Sequence, residues 1–292
     1  MSIRTILVPT RGTEGSEPAV EAAIAAGRSF GAHVEMLHVS ADPRDALPIM
    51  GEMVPSAGLI DELLQNAARD IQDCANRARA RFDAMLREPG VRRIETRPTP
   101  AEIATGHLSL SWRHLAGQAA DAVAARGRVF DLIVVERPGG EDVETEMILE
   151  GALLRSGRPV LVAPPRAVTT VGSHMVVAWN GSVPAARAVA AAMPFLTRAR
   201  TVHILVGRPA PRAQPIADDL AATLAWHGIS AEIAEFDTAG HVGTAMLDAA
   251  GRLGADLLVM GGYGHSQLRE MIFGGATIEA VFAADLPLLM TH

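Results

Sequence analysis

A chain that runs the same plan twice has little freedom in what it can fold into, and here the offset is about 170 residues. Ile6-Leu7-Val8-Pro9-Thr10-Arg11-Gly12-Thr13 corresponds to Val176-Val177-Ala178-Trp179-Asn180-Gly181-Ser182. An alanine-rich helical segment follows each copy, Pro18 to Phe30 in one and Pro184 to Leu196 in the other. Next come paired apolar runs: Val34 to Val39 against Val202 to Val206, then Asp131 to Val135 against Asp256 to Met260. Each half closes on a further run, Arg158 to Val162 or Leu286 to Met290. Five landmarks in one order mark a duplication, with Pro164 to Thr170 as the linker. The expected domains are residues 1–165 and 172–292.

Short apolar runs alternating with helical segments read as βαβ units. Each half is therefore expected to be α/β, a doubly wound, Rossmann-like parallel sheet with helices on both faces. Hydrophobic residues make up 49% of the chain but aromatic ones only 4%, so the core must be aliphatic, as suits parallel strands buried on both faces. In such sheets ligands lie outside the carboxyl ends of strands, where the strand order reverses. The first loop of the second half (Asn180-Gly181-Ser182) and the loop after its run Asp256 to Met260 then face one crevice.

That second loop is Gly261-Gly262-Tyr263-Gly264, followed by His265 and Ser266, with Gly274-Gly275, Ala276 and Thr277 beyond. A strand running through glycines into a helix start is suited to anions. Glycine admits close backbone approach, and the first helical turn offers unpaired N–H donors and a positive dipole end. The expectation is a phosphate-bearing ligand held by Gly261, Gly264, Gly274, Gly275 and Ala276 through backbone N–H groups, with Ser266 and Thr277 as candidate hydroxyl donors. No Walker-type lysine is present, which argues against a motor-like ATPase.

Other classes are excluded on composition. A net charge of −7 leaves no basic surplus for general nucleic-acid binding. The single Cys74 rules out an internal disulfide framework, and the ten histidines show no HxxxH or HExxH spacing, so no metal site is expected. No apolar run reaches the roughly 18–20 residues that span a bilayer, and the amino terminus enters a strand directly. A cytoplasmic protein with no membrane association is expected. Residues 57 to 88 read as a long helix with Ile60, Leu63, Leu64, Ala67, Ile71, Cys74, Ala78, Phe82 and Met85 on one face, which makes Cys74 a buried, inert thiol. Residues 41 to 57 read as an irregular flap whose Met50 and Met53 cover a groove or pack on the core. Trp112 and Trp226 read as packing residues. Glu136, Glu141, Asp142, Glu144 and Glu146 read as a solvated acidic face.

These residues resemble the universal stress proteins in their tandem, two-domain form. The family's nucleotide-binding members carry G-x2-G-x9-G followed by Ser or Thr, and Gly261-x2-Gly264-x9-Gly274 has that spacing. Val177-Ala178-Trp179-Asn180-Gly181-Ser182 is similar to the family's first strand and loop, where an acidic or amide residue contacts the adenosine. The resemblance thus implies an adenine-nucleotide-hydrolase-like fold. It also implies ATP or a related adenine nucleotide, with Mg²⁺ bridging the phosphates, as a regulatory ligand, turned over slowly if at all. Asn180 and Gly181 would flank the adenosine, with His265 beside the phosphates. It further implies an internal pseudo-dimer through the closing strands, with a homodimer as a further expectation.

Two departures qualify this. Gly275 stands where the family has Ser or Thr, removing one hydroxyl donor worth about 0.5–1.5 kcal/mol. In the first half the matching loop reads Glu136-Arg137-Pro138-Gly139-Gly140-Glu141-Asp142, without the glycine spacing, and Arg11 replaces the counterpart of Asn180. The first half is not expected to hold ATP in the same way. Two alternatives stay open: an assembly module without nucleotide, which Gly275 favours, and a weak ATP hydrolase using His265 or an N-terminal carboxylate.

Overall fold

The duplicated runs become strands. The first half contains β1 (Thr5–Pro9), α1 (Ser16–Phe30), β2 (His33–Ser40), α2 (Ala57–Met85), β3 (Arg92–Arg93), α3 (Pro100–Ala104), β4 (Ser109–Ala116), α4 (Ala119–Gly127), β5 (Leu132–Glu136), α5 (Val143–Arg155) and β6 (Val160–Ala163). The second contains β7 (His174–Ala178), α6 (Val183–Leu196), β8 (Thr201–Arg208), α7 (Ala217–Ala225), β9 (Glu232–Asp237), α8 (Val242–Arg252), β10 (Leu257–Gly261), α9 (Gly275–Ala283) and β11 (Leu288–Thr291). This computed structural model describes residues 2–13, 15–46, 56–95, 98–139, 142–208, 217–262 and 275–292.

All of these strands share one sheet, in the order β3-β4-β2-β1-β5-β6-β11-β10-β7-β8-β9. Pairing is parallel within each half, and the halves meet through an antiparallel pair, β6 with β11, in the register Val162↔Leu288, Leu161↔Leu289 and Val160↔Met290. The closing strands therefore satisfy each other's edges, the arrangement expected of an internal pseudo-dimer. Phe30 and Phe195 add an edge-to-face contact across the halves, with ring centroids 4.8 Å apart.

Burial explains why these runs become strands. Every residue of β5, β6 and β11 is buried, which only a sheet covered on both faces provides. One apolar layer lies under α1, α2, α6 and α7, and a second under α4, α5, α8 and α9. The duplicated aspartates act as clamps. Asp131 accepts from the backbone N–H of Arg4 and Thr5 at 2.8 and 3.0 Å, and Asp256 from those of Gly172, Ser173 and His174 at 3.1, 3.0 and 2.7 Å. Each ties the entry of its half's first strand to the strand beside it.

The structure corrects several expectations. Trp226 is no packing residue: it ends up 91% exposed just beyond α7, whereas Trp112 stacks near His38 and Phe82. Along α2 only Ala78, Phe82 and Met85 are buried, because only the helix's C-terminal part reaches the sheet core. Cys74 is accordingly only partly buried, and the Arg77 guanidinium donates to its Sγ at 3.1 Å. The expectations for Met50 and Met53 fall outside the described residues. Among the described residues no helix is long and apolar enough to cross a membrane.

Candidate functional site

In the second half the strand order is β9-β8-β7-β10-β11, so the reversal lies between β7 and β10. A cavity of about 400 Å³ opens there, within the size range of ligand pockets. Its floor and walls are apolar: Trp179, Leu205, Val206, Phe236, Met246 and Met260 line it. Asn180, Ser182, Arg208, Asp218, Thr238 and Thr277 add polar groups around them. An apolar slot with a few convergent polar groups suits a flat base carrying a polar tail.

The first loop has a definite construction. Trp179 N–H continues the ladder onto Leu205 O at 2.9 Å, and Gly181 then turns with φ +71°, a conformation that favours glycine. Asn180 Oδ1 accepts the Ser182 N–H at 3.0 Å, and Ser182 Oγ caps α6 by accepting the Ala185 N–H at 3.3 Å. Ser182, rather than Asn180, is therefore the helix cap. Asn180 lines the cavity, whereas Gly181 is not among the lining residues and serves the turn.

Gly261 also lines the cavity, and it has a packing role. A Cβ there would lie 2.6 Å from both Ala185 N and the Pro184 carbonyl carbon, so glycine lets α6 begin against the end of β10. Ala276 and Thr277, in the first turn of α9, complete the opposite wall, with Gly275 as the helix's first residue. Gly264, His265, Ser266 and Gly274 lie outside the described residues. Asn180, Gly261, Ala276 and Thr277, far apart in sequence, thus converge on one cavity. The lining residues Arg208, Asp218, Phe236, Thr238, Val242 and Met246 come from β8, α7, β9, the residue after β9, and α8, and the sequence motifs singled out none of these residues.

The cavity thus joins apolar walls to a helix start. The chain contains no lysine, so side-chain cations come from arginine. Among the described residues Arg208, at the carboxyl end of β8, is the cationic lining residue, and it pairs with exposed Glu235.

The equivalent place in the first half is also a cavity, of about 420 Å³, but an ion cluster lines it: Arg11, Glu136, Arg137 and Asp142 stand where the second half has apolar walls. Arg11 follows β1 as Asn180 follows β7, and Glu136 ends β5 where Gly261 ends β10. Arg11 Nε donates to Glu136 Oε1 at 2.6 Å, Nη1 to Asp142 Oδ1 at 3.1 Å and to Glu144 Oε2 at 3.2 Å, and Nη2 pairs with Asp142. Burial raises the Glu136 pKa above its usual value, outweighing Arg11. Asp142 has its pKa lowered: burial opposes this, but Arg11 and the Thr145 bonds prevail. The Arg11 pKa is itself raised, its partners prevailing over burial. Glu136 and Asp142 therefore do not belong to a solvated acidic face. They are bound into an ion cluster, and Asp142 also caps α5 through the Thr145 N–H at 3.2 Å.

Comparison with known proteins identifies the frame of both sites. The Universal stress protein family model matches residues 2–150, just over half of the chain. No curated protein matches the chain. Among solved structures, a universal stress protein from Archaeoglobus fulgidus DSM 4304 is 17% identical with a TM-score of 0.68, covering 99% of this chain and 96% of its own. A putative universal stress protein from Pseudomonas aeruginosa UCBPP-PA14 is 16% identical with a TM-score of 0.58, covering 99% and 93%. At these identities the structures speak to the fold, which they share along essentially its whole length. The family match and the paired α/β halves agree, and this chain is a member of the universal stress protein family.

Proposed function

We propose that this protein holds one adenine nucleotide, ATP or a close relative, in the cavity of its second half, as a regulatory ligand rather than a fuel. The supporting observation is the open cavity at the β7–β10 reversal, apolar on most sides and closed at one end by the first turn of α9. The base would lie against Trp179, Leu205, Val206 and Phe236, with Asn180 beside the ribose. Backbone N–H groups at Gly275 and Ala276 and the Thr277 hydroxyl would hold phosphate, together with Gly261, Gly264, Ser266, His265 and Gly274 of the intervening loop. When bound, Mg²⁺ would neutralise phosphate charge. Residues 1–165 and 172–292 would form the two domains, the first without a nucleotide of its own.

The test is nucleotide chromatography of an acid extract of freshly purified protein, alongside calorimetric titration with ATP and Mg²⁺. Bound adenine nucleotide, or titration to one per chain, supports the proposal. Neither, with no gain in melting temperature, favours an assembly module without nucleotide, the role suggested by Gly275 in place of a hydroxyl residue.

A further inference from the structure

Helix α9 presents its amino end to the cavity, and its carboxyl end is held by a residue of the other half. Arg137, immediately after β5, donates from Nη1 to Phe282 O at 2.8 Å and to Ala284 O at 3.2 Å. Carbonyls at the end of a helix lack intrahelical partners, and a cation there both satisfies them and complements the negative dipole end. The helix is also located from α8: Glu279 accepts the Gly243 N–H at 3.0 Å and pairs with His241 at 2.9 Å. A Cβ on Gly243 would come within 2.5 Å of Ala276 O, so α8 sits directly against the first turn of α9.

We propose that Arg137 is a positioning residue for the cavity of the second half, setting where the first turn of α9 meets the ligand's phosphates. This rests on the nucleotide reading above. The helix of nine residues is about 13 Å long at 1.5 Å per residue. That exceeds a screening length of about 8 Å at physiological salt, so the arginine's charge is largely lost at the far end while its mechanical hold is not. The halves are not reciprocal. Gly262 stands after β10 where Arg137 stands after β5, and it has no side chain to return the contact. The carboxyl end of α5 is served from its own half, Arg128 donating to Arg155 O at 3.3 Å. The strut thus runs from the half whose crevice is lined by an ion cluster to the half whose cavity is apolar.

The experiment compares ATP and adenosine affinities by calorimetry in the wild type, Arg137→Ala and Arg137→Lys, each shown to be folded by its melting curve. Adenosine lacks the phosphates that α9 would meet. The expected result is about tenfold weaker ATP binding in Arg137→Ala, equivalent to about 1.4 kcal/mol. Adenosine affinity should stay within about twofold, and Arg137→Lys should fall in between because it can reach one carbonyl. Unchanged ATP affinity in both variants overturns the proposal. So does an equal loss for ATP and adenosine, which would mean a general structural role. A wild-type protein that binds neither ligand overturns the nucleotide reading itself, and the positioning role with it.

Discussion

At the end of β1, Arg11 reaches across to Glu136, Asp142 and Glu144, whereas at the equivalent end of β7 Asn180 bends back onto Ser182 beside about 400 Å³ of open cavity. The backbone frames are alike, down to a left-handed glycine after each of these residues, Gly12 at φ +73° and Gly181 at φ +71°. What differs is the pair of residues facing each other at the reversal of strand order: arginine opposite glutamate in one half, asparagine opposite glycine in the other. A doubly wound sheet makes a crevice wherever its order reverses. Both crevices hold a cavity of about 400 Å³, and the side chains at two strand ends decide whether it is lined by a self-paired ion cluster or left apolar for a ligand.

The largest effect is expected on breaking the ion cluster of the first half. Arg11→Met strands Glu136 and Asp142 without their cation; the pairs are partly buried, so the cost lies between those of surface and buried ion pairs, about 1–4 kcal/mol. Urea unfolding at neutral pH checks this. The pH dependence fixes the cause. In the wild type the lowered Asp142 pKa gives stability that is present above its ordinary range and lost as pH falls through the lowered value. The raised Glu136 pKa acts the other way, its burial cost easing as pH falls through the raised value. In the variant the carboxylates lose their cation, so lowering the pH from about 7 to about 4 should narrow the gap to wild type. A gap that stays constant would mean that charge is not responsible.

Gly261→Ala tests the open crevice from its packing side. The added Cβ meets backbone atoms at 2.6 Å, and overpacking of this kind costs about 1–3 kcal/mol. It should also weaken nucleotide binding, whereas Gly139→Ala in the first half, with nothing near its Cβ, should leave both stability and binding unchanged. The two aspartate clamps sharpen the likeness instead. Asp131→Ala and Asp256→Ala should each cost about 1–3 kcal/mol, since each leaves the N–H groups at its strand entry without their carboxylate. Widely unequal costs would break the equivalence of the two halves. The smallest effect is expected for Thr277→Val, about tenfold or less in ATP affinity with little change in melting temperature.

Much of this was legible in the sequence, because it depends on order and residue type. The duplicated apolar runs became β1, β2, β5 and β6 and their partners β7, β8, β10 and β11. The aspartates opening β5 and β10 marked equivalent positions. Strand β4 and its counterpart β9 were not singled out. β9 lies at a sheet edge with no buried residue, and β4 mixes serine, arginine and histidine with its apolar residues, so neither forms a continuous apolar run. That omission hid the part of the cavity wall supplied by Ile233 and Phe236 of β9. Arg11 was recognised as a substitution, but its pairing with Glu136 spans 125 residues and depends on β1 and β5 being neighbours. The exposure of Trp226 and of the start of α2 likewise depends on where each helix leaves the sheet, which periodicity does not record.

The contrast between the two crevices is tested most directly by photolabelling the full-length protein with an azido-adenine analogue of ATP and mapping the labelled peptides by mass spectrometry. The account predicts label, competed away by unmodified ATP, on peptides of the cavity wall around Trp179, Val206 and Phe236, and none around Thr10 to Ser16. Competable label in the first half, or no competable label in either half at saturating analogue, would contradict it.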